Sequence, residues 1–275
     1  MFHRKDVTLA LIRRARLGDG GPLCDLFFRS VNVLGAGDYS PDQLAAWTSR
    51  INPERLERRL LSTVAFVAEE NGRPVGFGSL DPAHGELDFL YVHPESAGRG
   101  LGRQLAEAIE AEAALRGFSE VHLTASLNAV SIYERLGYGQ LERFSKTIDR
   151  VEVPCVRMSK RLHRERNVHG TLVRGLAVGS KTECAHYHSQ LDVIAIRFKC
   201  CGEFYPCYQC HTAVSDHPAV RWGKDDLDAE AILCGACGTR LSIRAYLDCA
   251  SRCPACAASF NPGCANHHTL YFSSK

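Results

Sequence analysis

The cysteines of this chain are concentrated in its last third. Of 13 cysteines in 275 residues, eleven fall between Cys184 and Cys264, and only Cys24 and Cys155 precede them. The start of the sequence does not resemble a secretory leader, so we expect a cytoplasmic protein in which a disulfide framework is not maintained. Clustered cysteine and histidine in such a chain indicate bound metal. We therefore expect the C-terminal part to fold around metal ions.

The candidate metal ligands come in close pairs, which is how zinc sites usually draw their ligands from a chain. The pairs are three C-x-x-C motifs, one Cys-x-His and one Cys-Cys. With two further histidines they give twelve predicted ligands: Cys184, His186, Cys200, Cys201, Cys207, Cys210, His211, His217, Cys234, Cys237, Cys253 and Cys256. Twelve ligands complete three closed tetrahedral sites, which is typical of structural rather than catalytic zinc.

One of these sites follows directly from the spacing. Cys234, Cys237, Cys253 and Cys256 form two C-x-x-C pairs of a zinc ribbon. The other eight ligands make two more sites, and spacing leaves open how they divide between them. Closed sites of this kind stabilise a domain whose apolar core is too small to fold alone.

The same segment resembles a known family. From Cys184, His186 and Tyr187 to residue 272, it is similar to the CHY-type zinc fingers. The resemblance supports the same twelve ligands. We expect about three structural zinc ions and a module that binds a protein partner or a substrate. Cys264 and His267 match the tail of the family pattern, either as alternative ligands or as support for the last turn.

The first 161 residues alternate strand and helix patterns and carry a glycine-rich loop. In FLYVHPESAGRGLGRQL (89–105) a buried strand leads through Gly98, Gly100 and Gly102 into a helix predicted over 101–117. Glycines allow a ligand to approach the backbone, and the free amides of a helix N-terminus bind anions. The loop is therefore a candidate pyrophosphate site, although plain strand–helix connections use similar turns.

The order of elements narrows the interpretation. The loop follows a late strand, and Asn128, Tyr133 and the Gly137-Tyr138 turn come about 30 residues later. Over roughly residues 8–161 this resembles the GNAT N-acetyltransferase superfamily. The resemblance implies an α/β fold, a GNAT-type mixed central sheet with helices on both faces, followed by a small metal-stabilised, zinc-ribbon-like domain. We expect domains at 1–161 and 179–275, joined by a linker at 162–178.

The resemblance also implies which residues bind acetyl-CoA and transfer its acetyl group. The cofactor-binding set would be Leu90, Tyr91, Val92, Gly98, Arg99, Gly100, Leu101, Gly102, Arg103 and Asn128. The backbone of the first three would pair with the pantetheine arm, and the loop would hold the pyrophosphate. Tyr133 would be the general acid that protonates the departing thiolate. Ala97 departs from the family pattern, which usually has Gln or Arg there.

A general base is less clearly marked. Glu86 and Asp88 flank Leu87 on the strand GELDFLYV, and alternation predicts that both carboxylates share one face. They are candidate bases, but a water chain, or a solvated strand edge without a catalytic role, is an equal alternative. The segment 31–47, with Asp38, Tyr39 and Trp47, would line the acceptor pocket.

The net charge of the chain argues against nucleic acid as a partner. The net charge is +2, and nine thiolates with three imidazoles around three Zn²⁺ would bring it to about −1. We expect no general nucleic-acid binding, and no apolar run approaches the ~20 residues of a membrane span. The predicted function is N-acetyl transfer to an amine, on a small molecule or a protein. The alternative is a zinc-binding adaptor or sensor that binds acetyl-CoA without significant catalysis.

Overall fold

The computed structural model describes residues 10–187 and 189–273. The chain divides into two compact units, Met1–Arg161 and Leu162–Lys275. Among the described residues, no helix is both long enough and apolar enough to cross a bilayer.

In its described residues, the first unit is one mixed sheet with five α-helices. Its strands are β1 Leu11–Arg14, β2 Val64–Glu70, β3 Arg73–Asp81, β4 Glu86–Val92, β5 Glu120–Ser126, β6 Gly139–Ile148 and β7 Val151–Arg161. Its helices are α1 Gly20–Leu34, α2 Pro41–Thr48, α3 Pro53–Ser62, α4 Leu101–Leu115 and α5 Val130–Arg135. The strand order is β1-β2-β3-β4-β5-β7-β6, and only β4 and β5 run parallel. The predicted α/β class with a mixed central sheet is confirmed.

Local sequence explains the elements that surround the glycine loop. The hairpin between β2 and β3 turns at Asn71 and Gly72, whose φ angles of 50° and 77° suit a tight two-residue turn. Helix α4 begins after Gly100 and buries Leu105 and Ile109 completely against the sheet. Helix α2 begins with a capping box, in which Ser40 and Gln43 each accept the other's backbone amide.

The second unit is a smaller sheet of six short strands. They are β8 Glu165–Val168, β9 Thr171–Arg174, β10 Ile194–Arg197, β11 Phe204–Tyr205, β12 Glu230–Cys234 and β13 Arg240–Ser242. The order is β13-β12-β10-β11-β9-β8, and β11 and β9 are parallel. Three short helices accompany it: α6 Tyr208–Val214, α7 Ile243–Asp248 and α8 His268–Tyr271.

The segment 162–178 differs from the predicted linker. Strands β8 and β9 pair as an antiparallel hairpin at the edge of the second sheet. Its turn carries His169, whose imidazole lies 3.2 Å from the carbonyl oxygen of Gly235. The apolar residues Val168 and Val173 are buried with Leu233 in a small core. The sequence did not predict this hairpin because each strand has only four residues, and the segment is basic with few apolar side chains.

Cysteines are part of the hydrophobic core in the second unit. Cys184, Cys207, Cys210, Cys234 and Cys253 are buried among apolar and aromatic side chains. Five of the 18 buried residues that the structure describes in this cluster are cysteines, which also pack as small apolar side chains. Sulfur atoms of the predicted ligands therefore lie within the apolar core of this unit.

Candidate active site and metal centres

Strands β4 and β5 separate within the first sheet. Their parallel pairing is limited to Glu86 with His122 and Leu87 with Leu123. At the next residue, Asp88, the pairing of β4 with β3 shifts: Leu87 lies opposite Leu80 and Phe89 opposite Ser79, so Asp88 has no opposing residue. This β-bulge bends β4, and its second half leaves β5. The result is an opening in the sheet beside the end of β4.

A pocket of about 330 Å³ occupies this opening. It collects residues that are far apart in the sequence, from the ends of α1 and β4, the glycine loop and α5. The predicted residues that line it are Leu90, Tyr91, Val92, Gly98, Gly100, Leu101, Gly102, Arg103, Asn128 and Tyr133. The structure thus brings together most of the predicted cofactor set with the predicted acid, although they come from three separate stretches of chain.

The glycine loop forms one end of the pocket. Gly98 and Gly100 have φ angles of +76° and +84°, a backbone conformation that other residues rarely adopt. The first hydrogen bond of α4 runs from the amide of Gln104 to the carbonyl of Gly100, so the preceding amides are available to a ligand. The first turn of α4 contains no acidic residue. These features suit an anion.

Arg99 is the predicted cofactor residue that the structure directs elsewhere. Its guanidinium makes two hydrogen bonds to the carboxylate of Glu70, at 2.8 and 3.0 Å. Its side chain is therefore engaged with β2, and only its backbone remains for the loop. Arg103, in contrast, lines the pocket from the first turn of α4.

The other end of the pocket is aromatic and apolar. Trp47 donates its indole N–H to the hydroxyl of Tyr91 at 3.2 Å. The rings of Tyr39 and Trp47 lie 5.8 Å apart. Val31 and Leu34 of α1 complete this wall. Burial raises the pKa values of Tyr39 and Tyr91 to about 12, so both phenols stay protonated at neutral pH.

Tyr39 also makes a connection that the sequence did not reveal. Its hydroxyl accepts a hydrogen bond from the amide of Leu127 and donates one to the carbonyl of Pro154, both at 2.8 Å. It therefore joins the end of β5 to β7 at the position where the chain turns to present Asn128. The only sequence signal was its place in the segment expected to line the acceptor pocket.

Tyr133 lies in the wall of the pocket on α5. Its side chain is only 6% exposed, and its ring meets that of Tyr138 edge to face at 5.5 Å. Burial raises the pKa of Tyr133, and the nearby phenol of Tyr91 raises it further. The hydroxyl is thus a neutral proton donor across the physiological range.

The structure does not bring the two candidate bases into the pocket. Asp88 is held by Arg59 of α3 at 2.8 Å, and Arg59 also approaches Asp81 at 3.5 Å. Glu86 begins β4, about 13 Å along the strand from Leu90. Among the described residues that line the pocket there is no carboxylate. The bulge at Asp88 interrupts the regular pairing of β4 with β3.

Within the part of the second unit that the structure describes, there are three groups of four potential metal ligands. Cys234, Cys237, Cys253 and Cys256 lie together, as the spacing predicted. The remaining eight divide into two groups: Cys184, His186, Cys207 and Cys210 in one, and Cys200, Cys201, His211 and His217 in the other. Within each group, all ligand atoms lie within 4.8 Å of one another. The pairs of the two groups alternate along the chain. Their order is Cys184 and His186, Cys200 and Cys201, Cys207 and Cys210, then His211 and His217.

Distances between the ligand atoms fit zinc. With Zn–S bonds of about 2.3 Å, the sulfur atoms of a tetrahedron lie about 3.8 Å apart. The sulfurs of Cys184 and Cys207 are 3.7 Å apart, and those of Cys237 and Cys253 are 3.9 Å apart. Disulfide sulfurs would lie at about 2.05 Å. The Nδ1 atom of His186 lies 3.4 Å from the sulfur of Cys210, which suits a mixed site of sulfur and nitrogen.

Polar neighbours orient the other two histidines. The Nδ1 atom of His217 lies 3.0 Å from a carboxylate oxygen of Asp216, and that of His211 lies 3.1 Å from the hydroxyl of Ser215. The opposite nitrogen of His217 is buried and has no hydrogen-bond partner among the described residues. A buried nitrogen directed at thiolates, with its ring held from behind, is the arrangement of a zinc ligand.

Two similar turns hold the four-cysteine group. In the first, Cys234 bonds through its amide to Thr239, and its carbonyl accepts from Gly238. In the second, Cys253 bonds in the same way to Ala258 and Ala257. The residue four positions after the first cysteine has a positive φ in both turns, 78° at Gly238 and 59° at Ala257. Each turn thus directs its two sulfurs towards the same point.

Cys264 and His267 lie outside these three groups. Both line a separate pocket of about 220 Å³ in the second unit, together with Tyr187 and Tyr246. Burial raises the pKa of the Cys264 thiol. Neither residue is needed to complete a set of four ligands.

Both parts of the chain match families of known proteins. Residues 35–162 match the acetyltransferase (GNAT) domain, and residues 184–261 match the CHY zinc finger. The uncharacterized N-acetyltransferase YafP of Escherichia coli is 31% identical over 144 residues, which are 52% of this chain and 86% of that protein. Helper of Tim protein 13 of Saccharomyces cerevisiae is 41% identical over 107 residues, 38% of this chain and 92% of that protein. The chain belongs to the GNAT acetyltransferases and to the CHY zinc fingers.

A solved structure supports the GNAT assignment. A GCN5-related N-acetyltransferase from Rhodopseudomonas palustris, also named as a class-II aminotransferase, is 32% identical. It superposes with a TM-score of 0.54 over 56% of this chain and 96% of that one. The pocket where β4 and β5 part therefore lies in the GNAT domain, and the three ligand groups lie in the unit that contains the CHY zinc finger.

Proposed function

We propose that the chain is an N-acetyltransferase that moves the acetyl group of acetyl-CoA to an amine. The observation that carries the proposal is the pocket at the bulge of β4, which joins an anion-binding loop to a buried phenol. The loop from Gly98 to Arg103 would hold the pyrophosphate. The backbone of Leu90, Tyr91 and Val92 would pair with the pantetheine arm, and Asn128 would hold the arm near the thioester.

The proposed reaction is direct attack of an unprotonated amine on the thioester carbon in a ternary complex. The amine nitrogen bonds to the carbonyl carbon as the C–S bond breaks, and coenzyme A leaves as the thiolate. Tyr133 gives the thiolate a proton and regains one from water. The amine loses its own proton to water, since Glu86 and Asp88 do not line the pocket. The apolar wall assists because burial disfavours the charged ammonium form and lowers the pKa of the bound amine.

The zinc module has a structural role in this proposal. Three groups of four ligands would hold three zinc ions without an open position for water. We propose that the module binds a protein partner or a protein substrate, as the name of its relative Helper of Tim protein 13 suggests for that protein. We place the protein in the cytosol, where thiolate ligands are kept reduced.

The first test is acetyl-CoA-dependent acetylation of a broad panel of amines and peptides by the zinc-loaded full chain, detected by mass spectrometry. Thiol-reactive dyes would be misled by the 13 cysteines. An N-acetylated product that depends on both the enzyme and acetyl-CoA supports the proposal.

A second candidate function is a zinc-binding adaptor whose GNAT domain binds acetyl-CoA without turnover. It is favoured by the relatives of the zinc module, which are named as helpers of another protein. Calorimetry combined with the acetylation panel separates the two functions. Tight acetyl-CoA binding without acetylation of any amine or peptide would support the adaptor and overturn the proposed acetyltransferase activity.

A further inference from the structure

The acceptor end of the pocket has a distinctive chemical composition. Its wall, formed by α1, α2 and the turn between them, consists of Ser30, Val31, Leu34, Tyr39, Leu44 and Trp47. All six side chains are uncharged. Acceptors with a second amino group are usually held by a carboxylate, and the described residues that line this pocket include none.

Two of the three polar side chains of this wall, Trp47 and Tyr39, are already engaged. The indole N–H of Trp47 is donated to Tyr91, and the hydroxyl of Tyr39 both accepts from Leu127 and donates to Pro154. Apart from the hydroxyl of Ser30, the wall therefore presents ring faces and methyl groups to a ligand. A second ammonium group placed there would lose its hydration without gaining a counterion.

From this composition, and resting on the proposed acetyl transfer, we infer that the acceptor is a primary amine with a single positive charge on an aromatic or aliphatic body. Diamines, polyamines and lysine-rich peptides are poor acceptors. The aromatic pair of Tyr39 and Trp47 would pack against the body of the acceptor, and the amine would point towards the thioester.

The test uses acceptors that differ by one charge. Hexylamine and 1,6-diaminohexane share a chain length and differ by one ammonium group. We expect kcat/KM of the zinc-loaded full chain to be about tenfold or more higher for hexylamine than for the diamine. Equal or reversed values would overturn the inference while leaving the acetyltransferase itself intact.

A variant places the missing charge in the wall. Leu34 lines the pocket and is 36% exposed, so Leu34→Glu adds a carboxylate without burying it fully. We expect this variant to shift the hexylamine-to-diamine ratio of kcat/KM several-fold towards the diamine, and Leu34→Gln to keep the original ratio. If Leu34→Glu does not move the ratio, this wall does not contact the acceptor.

Binding provides a readout that does not need turnover. Conjugates that join coenzyme A through an acetyl bridge to hexylamine or to the diamine can be compared by calorimetry. We expect the hexylamine conjugate to bind about tenfold more tightly. Tighter binding of the diamine conjugate contradicts the inference. If the conjugates bind in the expected order but no amine is acetylated, the proposed enzyme fails and the composition of the acceptor site stands.

Discussion

The hydroxyl of Tyr39 lies 2.8 Å from the amide nitrogen of Leu127 and accepts its hydrogen bond. Tyr39 precedes helix α2, whereas Leu127 follows strand β5. The same hydroxyl donates to the carbonyl of Pro154 on β7. One phenol thus satisfies two backbone groups at the point where the sheet has opened and fixes the residue next to Asn128. Its substitution should affect both stability and cofactor binding.

For Tyr39→Phe we expect the first unit to lose about 1–3 kcal/mol of unfolding free energy, because a buried amide and a carbonyl lose their partner. We also expect weaker acetyl-CoA binding, since the turn carrying Asn128 is no longer held. Urea denaturation and calorimetry measure the two effects. A stable variant with normal affinity would show that water replaces the phenol.

Replacement of Tyr133 tests the proposed acid. Tyr133→Phe should lower kcat about tenfold or more, because the departing thiolate loses its proton donor. The affinity for acetyl-CoA should not change. Since burial raises the pKa of Tyr133, the wild-type acid stays protonated as the pH rises. kcat/KM should therefore increase with the free-amine fraction and show no alkaline fall below about pH 10.

Tyr138→Phe is the matched control for that variant. Its ring packs on Tyr133, and its buried hydroxyl has no hydrogen-bond partner in the part of the chain that the structure describes. Loss of this hydroxyl should leave kcat near the wild-type value. A similar fall in both variants would mean that ring packing, and not proton donation, explains the effect at Tyr133.

The carboxylates on β4 should be dispensable for proton removal. Glu86→Gln and Asp88→Asn should each change kcat by less than about tenfold, whereas loss of a general base typically costs a hundredfold or more. Asparagine at 88 can still accept a hydrogen bond from Arg59, so the bulge should persist. Steady-state kinetics above and below the pKa of the acceptor amine provide the measurement. A hundredfold loss of kcat in either variant would identify that residue as the general base.

The two turns of the four-cysteine site should respond in opposite directions. Ala257→Gly should stabilise the zinc-loaded protein by about 0.5–1 kcal/mol, since alanine is strained at positive φ. Gly238→Ala should destabilise it, because the new Cβ would lie 2.5 Å from the Cβ of His169. Thermal denaturation of both variants at equal zinc content measures the change. The same sign of shift in both would show that the backbone strain is not as described.

Asp216 should strengthen zinc binding through His217. For Asp216→Asn we expect about tenfold weaker binding of one zinc ion, because the carboxylate holds and polarises the imidazole. Competition with a chromophoric chelator, followed by metal counting in native mass spectrometry, detects the loss of one ion out of three. Asp228→Asn is a suitable control, since Asp228 is exposed and pairs with Arg244 away from the ligand groups. Equal losses from both variants would indicate a general charge effect.

Features set by neighbouring residues could be predicted from the sequence. Features set by strand pairing, or by which loops meet in space, could not. Gly98 and Gly100 were identified because a tight turn before a helix needs them, and Cys234 and Cys237 because a zinc turn has fixed spacing. The division of the other eight ligands depends on which loops meet in space, and spacing carries no such information. The bulge at Asp88 arises from the pairing of β3 with β4, so alternation along one strand could not show it.

The interleaved order of two ligand groups has a consequence for how the metal enters. The pair Cys200 and Cys201 lies inside the loop that closes when Cys184 and His186 meet Cys207 and Cys210. Binding of one ion therefore favours binding of the other, because closing one loop reduces the conformational entropy lost in closing the second. Zinc titration should fill these two positions together, with a half-filled species scarcely populated. The four-cysteine site uses its own later segment and should fill at an independent step.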